Sequence, residues 1–348
     1  MISYGKQTII QDDIDAVIDV LKSDKITQGP VIEEFEKNLA TYCNSKYAVV
    51  VNNGTAALHL ANLCMGVSEN IGVLTSPITF LSTSNSVIMS GGKPFFADID
   101  LKNYVIDPNN IYEVVYQNPN IRGIIPVHLG GVMADIEKIY QITKEKKLWI
   151  IEDACHAIGG EWIDSKGIKH KVGDCSFSDL TIFSFHPVKQ ITTGEGGAIT
   201  TNSKELYKKL LLLRTHGMTK DPEILIENHG SWYYEMHSLG YNYRITDFQC
   251  ALGIQQLKNS DSWVSKRKSL VVRYKRKLRD ITEISHQNYS KNQNPSFHLY
   301  IILALKRDEL FNYLQERNIH CQIHYFPIHL QPYYKQKYNY KKGDFPKS

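Results

Sequence analysis

The stretch YAVVVNNGTAALHLANLCM, residues 47–65, decides the fold. Tyr47–Val51 is a short apolar run rich in valine, Asn52–Gly54 is a turn signal, and a helical apolar pattern begins near Thr55. A strand apolar on both faces, followed at once by a turn and a helix, is the repeating unit of a sheet covered by helices on both sides. Unpaired N–H groups at the helix start, with Gly54 and the Thr55 hydroxyl beside them, form a place for a phosphate. Taken alone, an Asn-Gly turn with Thr55 as helix cap is the simpler account.

Working outward, the unit recurs. IGVLTSP leads into TFLSTSNSVIM, KPFFADID follows, IRGIIPVHLGG precedes the helical ADIEKIYQITKEKKL, and WIIEDA comes next. The alternation predicts an α/β fold built on a mostly parallel sheet. Before it, Ile14, Val17, Ile18 and Leu21 fall on one helical face, with Asp12 or Asp13 as N-cap, and TQGP (27–30) separates this helix from VIEEFEKNLATYC. The pattern weakens after SKELYKKLLLLRTHG. A helix-rich stretch from Asp247 and an extended HLYIILAL read as a smaller α+β domain, so the expected division is 1–246 and 247–348. The polar SHQNYSKNQNPS (285–296) reads as an exposed linker.

Composition narrows the function classes. Of 348 residues, 42% are hydrophobic and 22% charged, which is ample for a buried core and unlike a disordered chain. A net charge of +4, with lysines spread along the chain, does not argue for a nucleic-acid partner. MISYGKQTIIQDD has no signal-peptide core, and no apolar run approaches a membrane span. Six cysteines without a CxxC pair suit small buried hydrophobes in a reducing cytoplasm. His324 and His329 are not at i, i+4 spacing, so an aromatic pocket wall is expected there and no metal site.

Two further segments carry chemistry. In WIIEDACHAIGG, Asp153 ends an apolar strand, where open α/β sheets bind ligands, and His156 follows three residues later. A helix cap and a core histidine are the bland alternatives, about as good on their own. In IFSFHPVKQITTGEGGAIT (182–200), Ser184 ends a strand and Lys189 sits on a loop that returns through Gly194, Gly196 and Gly197. Most lysines are solvated, but this one lies between two strand-like segments. A phosphate cradle, a carboxylate and a lysine on three strand ends are what pyridoxal 5′-phosphate requires. Lysine forms a Schiff base with its aldehyde, and the carboxylate keeps the ring nitrogen protonated.

With these blocks in view, the chain resembles the DegT/DnrJ/EryC1/StrS family of PLP-dependent sugar aminotransferases. NNGTAALHL, TSPITF, EDACHAIGG, FSFHPVKQITTGEGGA and GYNYRITDFQCALG carry the likeness, which runs from GKQTI to HYFPIHLQPYY. The resemblance implies a fold-type-I, aspartate-aminotransferase-like transferase with a seven-stranded large domain. It assigns a covalent aldimine to Lys189, the pyridine nitrogen to Asp153, the phenolic oxygen to His156 and ring stacking to Phe80. Gly54, Thr55 and Ser184 fall on phosphate positions, and Asn242 on one reached from the neighbouring subunit of a homodimer. Tyr4, Asp24, Lys25, Ile26, Thr27, His324 and Tyr325 match segments lining a sugar-nucleotide site.

TSPITF, HPVKQITTGEGG and GSWYYE are most similar to the branch acting on UDP-4-amino-4,6-dideoxy-N-acetyl-β-L-altrosamine in pseudaminic-acid synthesis. That implies amino transfer from L-glutamate to C4 of a UDP-4-keto-6-deoxy-N-acetylhexosamine. The alternatives are 3-amination or dehydration of another nucleotide sugar, and lysine rather than histidine at 189 favours transamination. Family chains continue beyond the FPKS-like segment, so the small domain is expected to be shortened at its end.

Overall fold

The computed structural model describes residues 1–348. Its centre is a seven-stranded sheet of β1 (Tyr47–Val51), β2 (Gly72–Thr75), β3 (Lys93–Phe96), β4 (Ile121–Ile125), β5 (Trp149–Asp153), β6 (Leu180–Ser184) and β7 (Gly197–Thr201). The spatial order is β1-β7-β6-β5-β4-β2-β3. Only β7 runs against its neighbours, pairing antiparallel with both β1 and β6. Val51, Ile125, Asp153 and Ser184 therefore end at the same edge.

The apolar strands explain why helices cover both faces. Val49, Val51, Ile151, Ile182 and Ile199 enter one buried cluster. Their neighbours Ala48, Val50, Ile150, Phe183 and Ala198 enter another on the opposite face. Full burial of a Val or Ile side chain stabilises by about 1.5–3 kcal/mol, so neither face can be left to water.

Ten α-helices accompany the strands, and the first two precede the sheet: α1 (Gln11–Leu21) and α2 (Pro30–Cys43). Within the sheet region lie α3 (Gly54–Cys64), α4 (Leu81–Met89), α5 (Pro108–Gln117), α6 (Ile136–Lys146) and α7 (Lys204–Arg214). The chain continues through α8 (Asp247–Leu278), α9 (Arg307–Glu316) and α10 (Pro332–Tyr338). Helix α5 has no counterpart in the sequence reading. Its start is nonetheless well signalled, because Pro108 occupies the first turn and the Asp107 carboxylate accepts the Asn109 N–H.

Several local expectations are corrected. Ile10, not Asp12 or Asp13, precedes α1 in extended conformation; Asp13 lies inside the helix, fully buried, and accepts the Ile10 N–H at 2.9 Å. A carboxylate at the third helical position reaches back in this way to a free donor. Helix α3 is capped by Asn53, whose side-chain Oδ1 accepts the Ala56 N–H at 2.8 Å, and begins at Gly54, one residue before Thr55. Within HLYIILAL only Ile302–Ala304 forms a strand, paired with Ile284–His286.

The 285–296 segment is not simply an exposed linker. Gln293–Asn294 pairs with Glu161–Trp162 of a hairpin, and Gln287 and Ser296 are buried. Within that polar run Gln287 N–H meets the Ile301 carbonyl, Asn288 N–H the Lys102 carbonyl, and the Asn292 carbonyl accepts Ile163 N–H.

Asp247 opens α8, about 48 Å long at 1.5 Å per residue. Its buried carboxylate accepts the N–H groups of Gly29 and Val31, locking the start of α8 to the start of α2. Residues from Ile328 onward pack back on the large sheet: Ile328 N–H meets the Pro77 carbonyl, and Tyr334 lies buried against Phe96. The 247–348 region thus holds a layer built around α9 and a tail that crosses to α4.

Candidate active site

A cleft of about 940 Å³ opens at the carboxyl edge of β1, β5 and β6. Its floor carries Gly54, Thr55, Asp153, His156, Ser184 and Lys189, and its rim carries Phe80, Tyr4, His324 and Tyr325. The topology alone brings these together, since they are spread over more than three hundred residues.

At the β1 end, the first N–H groups of α3 have no acceptor within the helix. Asn53 takes that of Ala56, which leaves those of Gly54 and Thr55 directed at the cleft mouth together with two hydroxyls, Thr55 Oγ1 and Ser184 Oγ. The space is tightly cut: a Cβ on Gly54 would come within 3.0 Å of Ser184 Cβ and 3.3 Å of Ser184 Oγ. Four donors at a helix N-terminus suit a phosphate.

Asp153 is buried at the end of β5. The Thr83 hydroxyl donates to Oδ2 at 2.7 Å and the Cys155 N–H to Oδ1 at 3.2 Å. Both oxygens are held in place while the side chain still lines the cleft. Glu152, one residue earlier, faces the other side of the sheet. Burial opposes its charge, but hydrogen bonds from His128, Ser178 and Thr181 outweigh burial and hold its pKa low.

Lys189 projects from the β6–β7 loop into the cleft. No carboxylate lies within ion-pair distance of its ammonium. Desolvation lowers its pKa, opposed by the charges of Cys155 and Asp153. A lysine so placed gives up its proton more readily than a surface one.

His156 accepts the Gly130 N–H at Nδ1 (3.2 Å), so the proton of its neutral ring sits on Nε2. Burial holds its pKa well below the usual histidine value, reinforced by Lys189, His298 and His324. Nε2 faces the Tyr325 hydroxyl at 3.4 Å. On the rim, burial pushes the Tyr4 phenol up to about 12, against the pull of Arg267. Its hydroxyl lies 2.7 Å from His324 Nε2, with the two rings stacked. Phe80 is 57% exposed, its ring 6.2 Å from that of Tyr325.

Not every expected residue arrives. Asn242 and Asp24, Lys25, Ile26 and Thr27 are exposed and lie outside the cleft of their own chain.

The sequence profile of the DegT/DnrJ/EryC1/StrS aminotransferase family matches residues 7–348. The chain belongs to that family. The aminotransferase is 39% identical to the UDP-4-amino-4,6-dideoxy-N-acetyl-β-L-altrosamine transaminase of Campylobacter jejuni serotype O:23/36, over 97% of this chain and 86% of that one. It is 31% identical to a GDP-perosamine synthase of Escherichia coli O157:H7, over 90% of this chain and 81% of that one.

Among solved structures, Helicobacter pylori PseC, an aminotransferase involved in the biosynthesis of pseudoaminic acid, superposes with a TM-score of 0.88 at 31% identity. That match covers 97% of this chain and 88% of PseC. The PLP form of the putative sugar aminotransferase Spr1654 of Streptococcus pneumoniae gives 0.89 at 27%, covering 99% and 90%. The fold of the aminotransferase is thus the fold-type-I α/β architecture of PLP-dependent enzymes, and its chemistry is amino transfer to a sugar.

The residues present fit that cofactor: the donor-lined cradle could take a phosphate, and Asp153 and Lys189 line the space beyond it. The aminotransferase also places residues here that sequence reading did not single out. Thr83, in the first turn of α4 just after TSPITF, anchors Asp153. His298 is buried with its ring 4.5 Å from that of His156, and its Nδ1 has no hydrogen-bond partner. Neither gives a periodic or motif signal. Only the return of the 285–298 segment to the sheet brings His298 to the cleft. Cys155, read as a buried hydrophobe, is half-buried and lines the cleft beside Gly54.

Proposed function

We propose that this enzyme transfers the amino group of L-glutamate to C4 of a UDP-4-keto-6-deoxy-N-acetylhexosamine, in the synthesis of pseudaminic acid or a related surface amino sugar. The carrying observation is the geometry: Lys189 lies in a cleft between the Asp153 carboxylate and the helix α3 cradle, where burial lowers its pKa. The similarity to the Campylobacter transaminase supports the choice of sugar.

When bound, pyridoxal 5′-phosphate supplies an electron sink that makes the C–H bond beside an amino group acidic. Gly54, Thr55 and Ser184 would hold its phosphate, and Phe80 would cover one face of its ring. Asp153, held by hydrogen bonds to both oxygens, would face the ring nitrogen. His156 presents Nε2–H as a donor. Lys189 would hold the aldehyde, and its free Nζ would take the proton from the donor α-carbon. The same Nζ returns a proton at C4 of the sugar in the second half-reaction. Tyr4, His324 and Tyr325 would orient the sugar nucleotide on the rim.

In this reading the working unit is a homodimer with shared sites. Asn242 would reach the cofactor phosphate of the partner, and the exposed Asp24–Thr27 stretch would meet substrate only across that interface. Six unpaired cysteines suit a reducing cytoplasm, and no helix is long and apolar enough to cross a membrane.

The test is product analysis by NMR after incubation with L-glutamate and the UDP-linked 4-keto-sugar, with 2-oxoglutarate measured in parallel. A C4 amine formed one-to-one with 2-oxoglutarate supports the proposal. Similarity to the perosamine synthase supports a second reading, the same amino transfer to a GDP-linked keto-sugar. Turnover of that substrate alone would replace the first.

A further inference from the structure

The loop that carries Lys189 is stitched at its base and sparsely bonded at its tip. At the base, Phe185 N–H meets the Gly196 carbonyl, while the Phe185 carbonyl accepts both Thr193 N–H and the Thr192 hydroxyl. Thr192 N–H adds a bond to Gln256 Oε1, whose side chain in turn donates to the Thr8 carbonyl and to Asp13. At the tip, the main chain contributes a turn from Lys189 N–H to the His186 carbonyl at 2.8 Å. Val188 N–H also reaches His186 Nδ1 at 3.5 Å, and the side chain of Gln190 supplies the ties to distant segments. It is buried, and its amide NH₂ donates to the His156 carbonyl at 2.6 Å and to Ser296 Oγ at 3.0 Å. Ser296 donates to the same His156 carbonyl at 3.2 Å. The amide orientation is unambiguous, because a backbone carbonyl can only accept.

This node joins three segments that each send a side chain to the cleft: Lys189 precedes Gln190, His156 owns the carbonyl, and His298 lies two residues after Ser296. Ile191, also buried, anchors the loop by packing alone and sets no direction. Two hydrogen bonds from one amide fix both the depth and the rotation of the adjacent residue.

We propose that Gln190 is the positioning residue for Lys189, aiming Nζ at the cofactor aldehyde by tying the loop tip to the His156 carbonyl and Ser296. This rests on the reading of Lys189 as covalent anchor. In the step concerned, Lys189 Nζ in its neutral form gains a C=N bond to the aldehyde carbon. The nitrogen gives up two protons, and these leave with the carbonyl oxygen as water. The reaction needs Nζ on the attack line. Phosphate binding by the α3 cradle does not.

The two demands separate experimentally. Wild type, Gln190→Met, Ser296→Ala and Ser296→Thr are titrated with pyridoxal 5′-phosphate by absorbance and with pyridoxamine 5′-phosphate, which cannot bond to lysine. Gln190→Met is expected to weaken the aldehyde form about tenfold, as misaimed reacting groups do, with the amine form unchanged within about twofold. Ser296→Ala shifts the same ratio in the same direction by a smaller factor, and Ser296→Thr restores it. These serine variants decide the matter if Gln190→Met does not fold. Equal weakening of both forms, or no change in either, overturns the positioning role. Borohydride reduction of the wild type followed by peptide mass spectrometry stands apart from this comparison. An unlabelled Lys189 there would sink the anchor reading itself.

Discussion

Thr83 donates its hydroxyl hydrogen to Asp153 Oδ2 at 2.7 Å. Since that hydrogen is committed, the 2.8 Å contact between Thr79 and Thr83 runs from the Thr79 hydroxyl to the Thr83 oxygen. Helix α4 thus supports the carboxylate of β5 through a buried two-hydroxyl relay. A hydrogen bond to a charged group contributes about 1.5–3 kcal/mol. Thr83→Val should lower stability in urea titrations by an amount in that range and reduce turnover, while Thr83→Ser should keep most of both. Unchanged turnover in the valine variant would remove the relay from the account of the site.

Lys189→Arg keeps a cation in the cleft but removes an amine able to bond the aldehyde or shuttle a proton near neutrality. Loss of a positioned proton-transfer group costs about 10²–10⁴-fold in rate. Turnover should fall at least that far, and the protein should lack the absorbance band of lysine-bound cofactor. Steady-state kinetics and a spectrum of the reconstituted variant check this together.

Gly54→Ala separates fold from cofactor. The new methyl would crowd Ser184 at 3.0 Å, whereas alanine early in a helix is favourable by up to about 1 kcal/mol relative to glycine. The melting temperature of the cofactor-free variant should stay close to wild type, the helix preference offsetting the crowding, and affinity for pyridoxal 5′-phosphate should fall about tenfold, or 1.4 kcal/mol. A variant that binds as tightly as wild type would show the cradle to be less closely fitted than the distances indicate.

Stability should decline as pH falls through about 6.5, the ordinary histidine value. His156 and His298 are both held well below it by burial, and further by the charge of Lys189. In that window the unfolded chain binds protons that the folded state refuses. Stability is therefore full above the unfolded value and drops below it, by up to about 1.4 kcal/mol per pH unit for each histidine. Calorimetry of the cofactor-free protein from pH 8 to pH 5 measures the slope, and replacing both histidines by asparagine should flatten it.

Much of the sheet was legible because its strands are apolar on both faces and each is punctuated by a turn. That Lys189, Asp153, Thr55 and Ser184 gather at one cleft was legible because strand ends are where such sheets open their clefts. Local capping is less legible: Ile10 and Asn53 stand at the helix starts, two or three residues before Asp12, Asp13 and Thr55, since neighbouring polar residues compete for the same free N–H groups. Helix α5 was passed over, and 285–296 was read as solvent-facing because its polarity conceals pairing with a distant hairpin.

By itself, the sequence determined the α/β sheet, the edge where chemistry collects and the lysine at its centre, since these follow from local periodicity and from short motifs. Tertiary structure alone decided that Thr83 braces Asp153, that His298 lies on His156 and that Gln190 ties the lysine loop to His156 and Ser296. Those contacts join residues 34 to 142 positions apart. Buried donors and acceptors must find partners wherever the packed chain brings them, and no local pattern encodes which distant residue that will be.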